Sequence, residues 1–271
     1  MSRRVVITGA SGHLGGKLYD EIRAQTDWHP VGLDIRETDR PDCHVADFSK
    51  MGDWTRHLED VDTVVHLAAD RNPDASWGSS VANNMNATLN LYHAASQTGV
   101  HRVVFASSNW VQGGYRFSSE KLSPSLDPKP VNAYGVSKLF GERVGEFFAS
   151  EHGLSVICLR IGWTQWTHDN LPGRHMAMGR WGQEMWLSDR DYLQGMKCAI
   201  DARDVPYAIL NLMSDNPGMR WDLEPTRNLI GYRPEDGRSA DVSVQMRLRS
   251  SILKTVTETI PDRLKSIASD W

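Results

Sequence analysis

Val5-Val6-Ile7-Thr8-Gly9-Ala10-Ser11-Gly12-His13-Leu14-Gly15 puts a short β-branched run directly before a glycine-rich turn, and Leu14 to Ala24 continue at helical spacing. Between a strand and a helix, such glycines permit a tight turn and close backbone approach. The helix N-terminus can then aim N–H groups and its positive dipole end at a pyrophosphate. Outside that context the same residues read as a flexible turn.

The rest of the chain supplies the context. Val31 to Leu33 closed by Asp34, then Asp62 to Leu67, His101 to Ala106, Ser155 to Ile161 and Tyr207 to Leu212 read as further buried strands. Helical periodicity runs through Asn84, Leu91 and Ala95, over Tyr134 to Ala149 and over Tyr192 to Ala202, with a short helix from Pro225 to Ile230. This alternation predicts an α/β fold: a Rossmann-type doubly wound parallel sheet with a small C-terminal substrate-binding region. Residues 1–161 are expected to form the dinucleotide-binding core. Residues 162–271 are expected to supply a substrate-binding loop, a small lobe and a helical tail, the whole forming one compact unit. Gly162 to Glu184 shows no period and reads as a long irregular insertion, of a length that is often functional.

Composition narrows the class. The 271 residues carry 30 Lys+Arg against 34 Asp+Glu, a net charge of −4, with 40% hydrophobic residues, so the chain can bury a large core without staples. Slight acidity without a Lys/Arg run argues against a nucleic-acid or anionic-membrane surface. Cys43, Cys158 and Cys198 form no C-x-x-C pair, and the ten histidines show no clustered ligand spacing, so neither a disulfide frame nor a metal site is expected. The expected location is the cytoplasm, because the run Val5 to Thr8 is too short for a signal peptide and no long apolar stretch follows it.

Asp34 ends the second strand where a carboxylate accepts from ribose hydroxyls and repels a 2′-phosphate, which favours NAD over NADP. Arg36 is either a solvated charge or a partner for such a phosphate. Asp47 suits the adenine amino group or a helix N-cap. Tyr134-Gly135-Val136-Ser137-Lys138 places a phenol and an ammonium at i and i+4 on one helical face, and a cation near a tyrosine is expected to lower its pKa toward use as a base. Ser107-Ser108 ends a strand where the loops of such a sheet converge on ligand.

This ordered set, with His66-Leu67-Ala68-Ala69, resembles the extended, sugar-nucleotide-epimerase-like branch of the short-chain dehydrogenase/reductases, to about Tyr232. Phe105 to Asn109, Tyr134 to Lys138, Arg160-Ile161-Gly162 and Met185 to Ser188 look most like uronate dehydrogenases and the archaeal glucose-6-phosphate dehydrogenases. The resemblance implies a catalytic Ser108, Tyr134 and Lys138. It implies NAD held by Gly9, Ser11, Gly12, His13, Leu14, Gly15, Asp34, Arg36, Asp47, Phe48, Leu67, Ala68, Ala69, Asn84, Tyr134, Lys138 and Ile161. It also implies a homodimer or homotetramer built through the helices of Asn84 to Ala95 and Tyr134 to Ala149. Trp110 and Trp163 depart from the uronate pattern, which has His and Ser there.

Six of the ten tryptophans, Trp77, Trp110, Trp163, Trp166, Trp181 and Trp186, fall near the C-terminal edge of the sheet, where they suit either a sugar face or loop packing. Arg71, Ser108, Asn109, Trp110, Trp163, Arg174, His175, Arg180 and Gln183 are the expected substrate contacts. Of these, the loop residues Arg174, His175, Arg180 and Gln183 form a set suited to an anionic group at C6 of a hexose. The expected reaction is therefore NAD-dependent oxidation of the C1 hydroxyl of a C6-anionic free sugar, a sulfosugar such as sulfoquinovose ranking before a uronate or a sugar 6-phosphate. The alternatives are a nucleotide-sugar epimerase or dehydratase, disfavoured by only about 110 residues after Arg160, and a non-catalytic NAD-sensing regulator.

Overall fold

The computed structural model describes residues 3–164, 179–238 and 252. Seven strands form one parallel sheet: β1 (Arg4–Thr8), β2 (His29–Asp34), β3 (Cys43–Val45), β4 (Thr63–His66), β5 (Arg102–Ser108), β6 (Ser155–Ile161) and β7 (Tyr207–Leu212). Their order is β3-β2-β1-β4-β5-β6-β7. The chain starts mid-sheet, winds outward to β3, then returns past β1 to build the other side. This reversal opens a crevice at the carboxyl ends of β1 and β4. The central strands are buried on both faces, which is why they read as continuous apolar runs rather than alternating ones.

Helices cover both faces. One core joins β1, β5 and β6 residues to α1 (His13–Gln25), α5 (Gly179–Glu184), α6 (Asp189–Asp201) and α7 (Glu224–Ile230). The other joins the opposite face to α3 (Ala87–Gln97) and α4 (Ala133–His152). The C-terminal segment is therefore stitched into the first half. It contributes β7 to the common sheet, and α6 is tied to α1 by the Lys17–Asp189 pair and by Lys197 on Glu21 at 2.5 Å. The Tyr192 hydroxyl also donates to the Leu14 carbonyl at 3.1 Å. Among the described residues, no helix is long and apolar enough to cross a membrane.

Three local features differ from expectation. The helix through Asn84 begins as a short turn, α2 (Trp77–Ser79), and is wound as a π-helix over Ser80–Asn86 before α3. The segment read as irregular from Gly162 to Glu184 ends in α5, because Trp181, Met185 and Trp186 are core residues that pull it against the sheet. Residues 165–178 lie outside the described residues, as does the tail after Ser243 apart from residue 252. β3 and the 3-10 turns Asp53–Leu58 and Asn109–Tyr115 are too short to show a period.

Candidate active site

The carboxyl edge of the sheet opens into a cleft of about 940 Å³ lined from the Gly9 turn, past the ends of β2, β4, β5 and β6, to Trp163. At its first end the wall is main chain. Gly9 adopts φ +73 and donates its N–H to the Leu33 carbonyl at 2.7 Å. A Cβ on Gly15 would lie 2.1 Å from the Gly9 carbonyl oxygen, so only glycine lets α1 approach the turn this closely. α1 starts with neither a side-chain cap nor an acidic residue in its first turn, which leaves its amides and positive dipole end for an external anion. His13, Leu14, Gly12 and Gly15 all line this part.

Asp34 is 6% exposed on the cleft wall, its carboxylate oriented by the Ser11 N–H at 2.9 Å and the Arg36 N–H at 3.0 Å. Ser11 does not line the cleft; its amide serves Asp34, and its buried hydroxyl has no partner among the described residues. Arg36 is largely exposed at the rim, 3.8 Å from the Asp34 carboxylate. Asp47 caps no helix. Its carboxylate accepts the Ser49 N–H at 2.9 Å and is held below its ordinary pKa by the bonds from Ser49. Asp47 and the buried Phe48, packed edge-on to Trp54, line the far end with Leu67, Ala68 and Ala69 along the middle. A glycine cradle, an oriented carboxylate and an apolar slot together fit an adenine dinucleotide.

The other end is made of side chains. Ser108 ends β5 and Tyr134 and Lys138 lie on one face of α4, which begins where Asn132 Oδ1 accepts the Gly135 N–H at 2.7 Å. All three residues line the cleft. The Lys138 ammonium lies 5.6 Å from the centroid of the Tyr134 ring and 5.2 Å from that of Phe105. Burial pushes the Tyr134 phenol up to about 12, opposed by its hydrogen bond with Ser108 and by the Arg71 guanidinium. Burial brings Lys138 down to about 8. The expectation that Lys138 lowers the Tyr134 pKa is therefore corrected. Desolvation dominates the phenol, and the opposing pulls come from Ser108 and Arg71.

The β4 edge is braced by groups that no motif announced. Thr8 Oγ1 accepts the N–H groups of Leu67 at 3.1 Å and Ala68 at 3.0 Å, so its own proton goes to His66 Nδ1, 2.8 Å away. His66 Nε2 then donates to Thr88 Oγ1 at 3.2 Å. Burial and the Lys138 charge hold His66 down at about 3, so it is neutral and serves as a fixed strut. Asn84 is also a brace and does not line the cleft. It accepts the Asp70 N–H at 2.8 Å and donates to the Asp70 carbonyl at 3.0 Å and to Ser137 Oγ at 2.9 Å. Its amide thereby ties the loop carrying Arg71 to the helical turn between Tyr134 and Lys138.

The expected substrate residues separate into three groups. Arg71, Asn109, Trp110, Trp163 and Ser108 line the cleft, as does Ile161 from the expected NAD-binding set. Asn109 Nδ2 donates to the Ile161 carbonyl at 3.2 Å, while its buried Oδ1 has no partner among the described residues. Trp163 is fixed by its main chain, donating to the Met185 carbonyl at 2.7 Å and accepting from Leu187 at 2.9 Å. Gln183, Trp181 and Trp186 are buried core residues off the cleft, and Trp77 is exposed on the surface. Trp166, Arg174, His175 and the Arg180 side chain lie outside the described residues. Tryptophan enrichment as such was therefore a poor guide: Trp110 and Trp163 meet the cleft, whereas Trp181 and Trp186 support it.

The profile of the NAD dependent epimerase/dehydratase family matches residues 5–163. The chain belongs to this family. It is 36% identical over 255 residues to an L-arabinose 1-dehydrogenase (NAD(P)(+)) of Haloferax volcanii, covering 88% of this chain and 99% of that protein. It is 32% identical to a NAD-dependent glucose-6-phosphate dehydrogenase of the same organism, over 87% of this chain and 94% of the other. The fold matches the crystal structure of a tyrosine-to-alanine mutant of Agrobacterium tumefaciens uronate dehydrogenase complexed with NAD. The TM-score is 0.74 at 22% identity, with 96% of this chain and 91% of that one covered.

Proposed function

We propose that this chain is an NAD-dependent sugar 1-dehydrogenase that oxidises the anomeric C1 hydroxyl of a free sugar to the lactone. The observation that carries the reading is the convergence of Ser108, Tyr134 and Lys138 on the cleft that the Gly9–Gly15 turn opens. Its relatives, an L-arabinose 1-dehydrogenase and a glucose-6-phosphate dehydrogenase, support the sugar class.

Oxidation removes a proton from O1 and a hydride from C1. When bound, the nicotinamide supplies the hydride acceptor and, in its oxidised form, a positive charge. Ser108 holds the C1 oxygen, and its own geometry is set by the Trp110 N–H, which it accepts at 3.2 Å. Tyr134 takes the O1 proton. Lys138, brought near pH 8 by burial, exchanges a proton within the working range and anchors the nicotinamide ribose. Trp110 and Trp163 form apolar walls suited to the C–H face of a sugar ring.

The finer reading is a C6-anionic sugar, with a sulfosugar ahead of a uronate or a sugar 6-phosphate, supported by Arg71 on the cleft wall. A neutral pentose is the second reading, favoured by the identity to L-arabinose 1-dehydrogenase. We place the enzyme in the cytoplasm as a homodimer or homotetramer; Val81 and Leu89 on the Ser80–Gln97 helix and Phe147 on α4 offer exposed apolar contacts. The test is NADH absorbance over sulfosugars, uronates, sugar 6-phosphates and neutral aldoses, with NAD and NADP in parallel. Production of NADH with one class assigns it. Dinucleotide retained through purification without net NADH would instead assign an epimerase, and binding without turnover on any sugar a sensor.

A further inference from the structure

The carboxylate of Glu142, wholly buried on α4, is bound at once from β5 by Ser107 and from β6 by Arg160. From this juxtaposition we propose that Glu142 is a positioning residue that locks the register of Tyr134 against Ser108. The proposal rests on the reading of Tyr134 as the base. Glu142 lies one helical turn beyond Lys138 and two beyond Tyr134, on the same face of α4.

Ser107 donates to Oε1 at 2.6 Å, and Arg160 donates through Nε to Oε1 and through Nη2 to Oε2, both at 2.9 Å. Ser107 and Arg160 are register partners across the β5–β6 ladder. Ser107 itself borders the cleft, as do the residues that follow the pair, Ser108 and Ile161, whereas Arg160 does not. One carboxylate thus holds the three elements that carry the catalytic hydroxyl, the base and the nicotinamide-side wall. The helix lies close enough for this: a Cβ on Gly141 would sit 2.2 Å from the Phe105 ring. Arg160 is itself held by the Pro124 carbonyl at 3.3 Å, and Tyr207 donates to the Glu142 carbonyl at 2.9 Å.

Energetics favour a positioning role over one in stability. A buried ion pair contributes little that an apolar pair of the same shape would not, because its attraction is spent on desolvation, yet its bidentate geometry admits one register only. A hydrogen bond between Ser108 and Tyr134 needs that register to within a fraction of an ångström.

The mild probe is Ser107→Ala, which removes one hydrogen bond and leaves the ion pair intact; Glu142→Gln is the severe one. Expected for Ser107→Ala are unchanged NAD affinity, a melting temperature within a few degrees of the parent, and a kcat lowered about tenfold with little change in KM. The phenolate titration of Tyr134, read as absorbance difference against Tyr134→Phe, should also move to higher pH, because the loosened Ser108 no longer favours the phenolate. Ser107→Thr, which restores the hydroxyl, should recover both. If folded Ser107→Ala keeps the parent kcat and titration, or if both probes change only the melting temperature, the positioning role is overturned. The titration needs no substrate, so failure to find a sugar would refute the proposed function and leave this test standing.

Discussion

At the Gly9–Gly15 end the cleft wall is main chain and helix dipole; at the Ser108 end it is side chains drawn from β5, α4, the Arg71 loop and Trp163. The first wall is defined by where a Cβ cannot be, since the Gly15 position lies against the Gly9 carbonyl. The second is defined by burial and by the orientation of a few polar atoms, among them a phenol pushed up to about 12 and an ammonium brought down to about 8. The contrast teaches that one edge of the sheet performs two tasks with different tolerances. A backbone cradle suits a ligand common to many enzymes, and a side-chain array suits the selection and conversion of a particular one, as proposed above.

The largest effect that would break this contrast is expected from Tyr134→Phe. Turnover should fall about 10³-fold with NAD affinity retained, as stopped-flow NADH formation and fluorescence titration would show. With the parent enzyme, the raised phenol pKa means that Tyr134 carries its proton at neutral pH, so kcat should climb with pH on the alkaline side through a limb below about 12. A flat profile there would remove Tyr134 as the base. The tryptophans sharpen the second wall. Trp181→Ala, in the core, should cost about 3–5 kcal/mol in urea unfolding, whereas Trp110→Ala should leave stability nearly intact and raise the KM for the sugar about tenfold. Equal effects would mean that the two rings do the same job. Smallest in turnover is Gly15→Ala, expected to leave kcat at saturating dinucleotide nearly unchanged while costing about 1–3 kcal/mol of stability and weakening NAD at least tenfold.

The two walls were also unequally legible. Gly9, Gly12, Gly15 and Asp34 could be read because a turn between a strand and a helix is a local matter, written in consecutive residues and a fixed spacing to the next strand end. Tyr134 and Lys138 were legible for the same reason, one helical turn apart. Their electrostatics were not: the pull of Arg71 on the phenol arises from a loop more than 60 residues away in sequence. Asn84 and the His66 strut act across elements, so spacing could not tell a brace from a ligand contact. Trp181 and Trp186 misled because an indole suits a core as well as a sugar face, and only packing decides between them. Glu142 did leave a signal, its i+4 offset from Lys138, but nothing in the chain indicated that Ser107 and Arg160 would reach it from two strands.

The pairing of α6 with α1 has a consequence for how the protein responds to its cofactor. α1 opens its uncapped N-terminus onto the cleft, while its flank carries Lys17 and Glu21 to α6, and the Leu14 carbonyl receives Tyr192. Heat cannot therefore detach the C-terminal segment without disturbing the phosphate cradle. Saturation with dinucleotide at 100 times its Kd would add about 2.7 kcal/mol to the whole chain, so the C-terminal segment should gain resistance to melting and proteolysis along with the cradle.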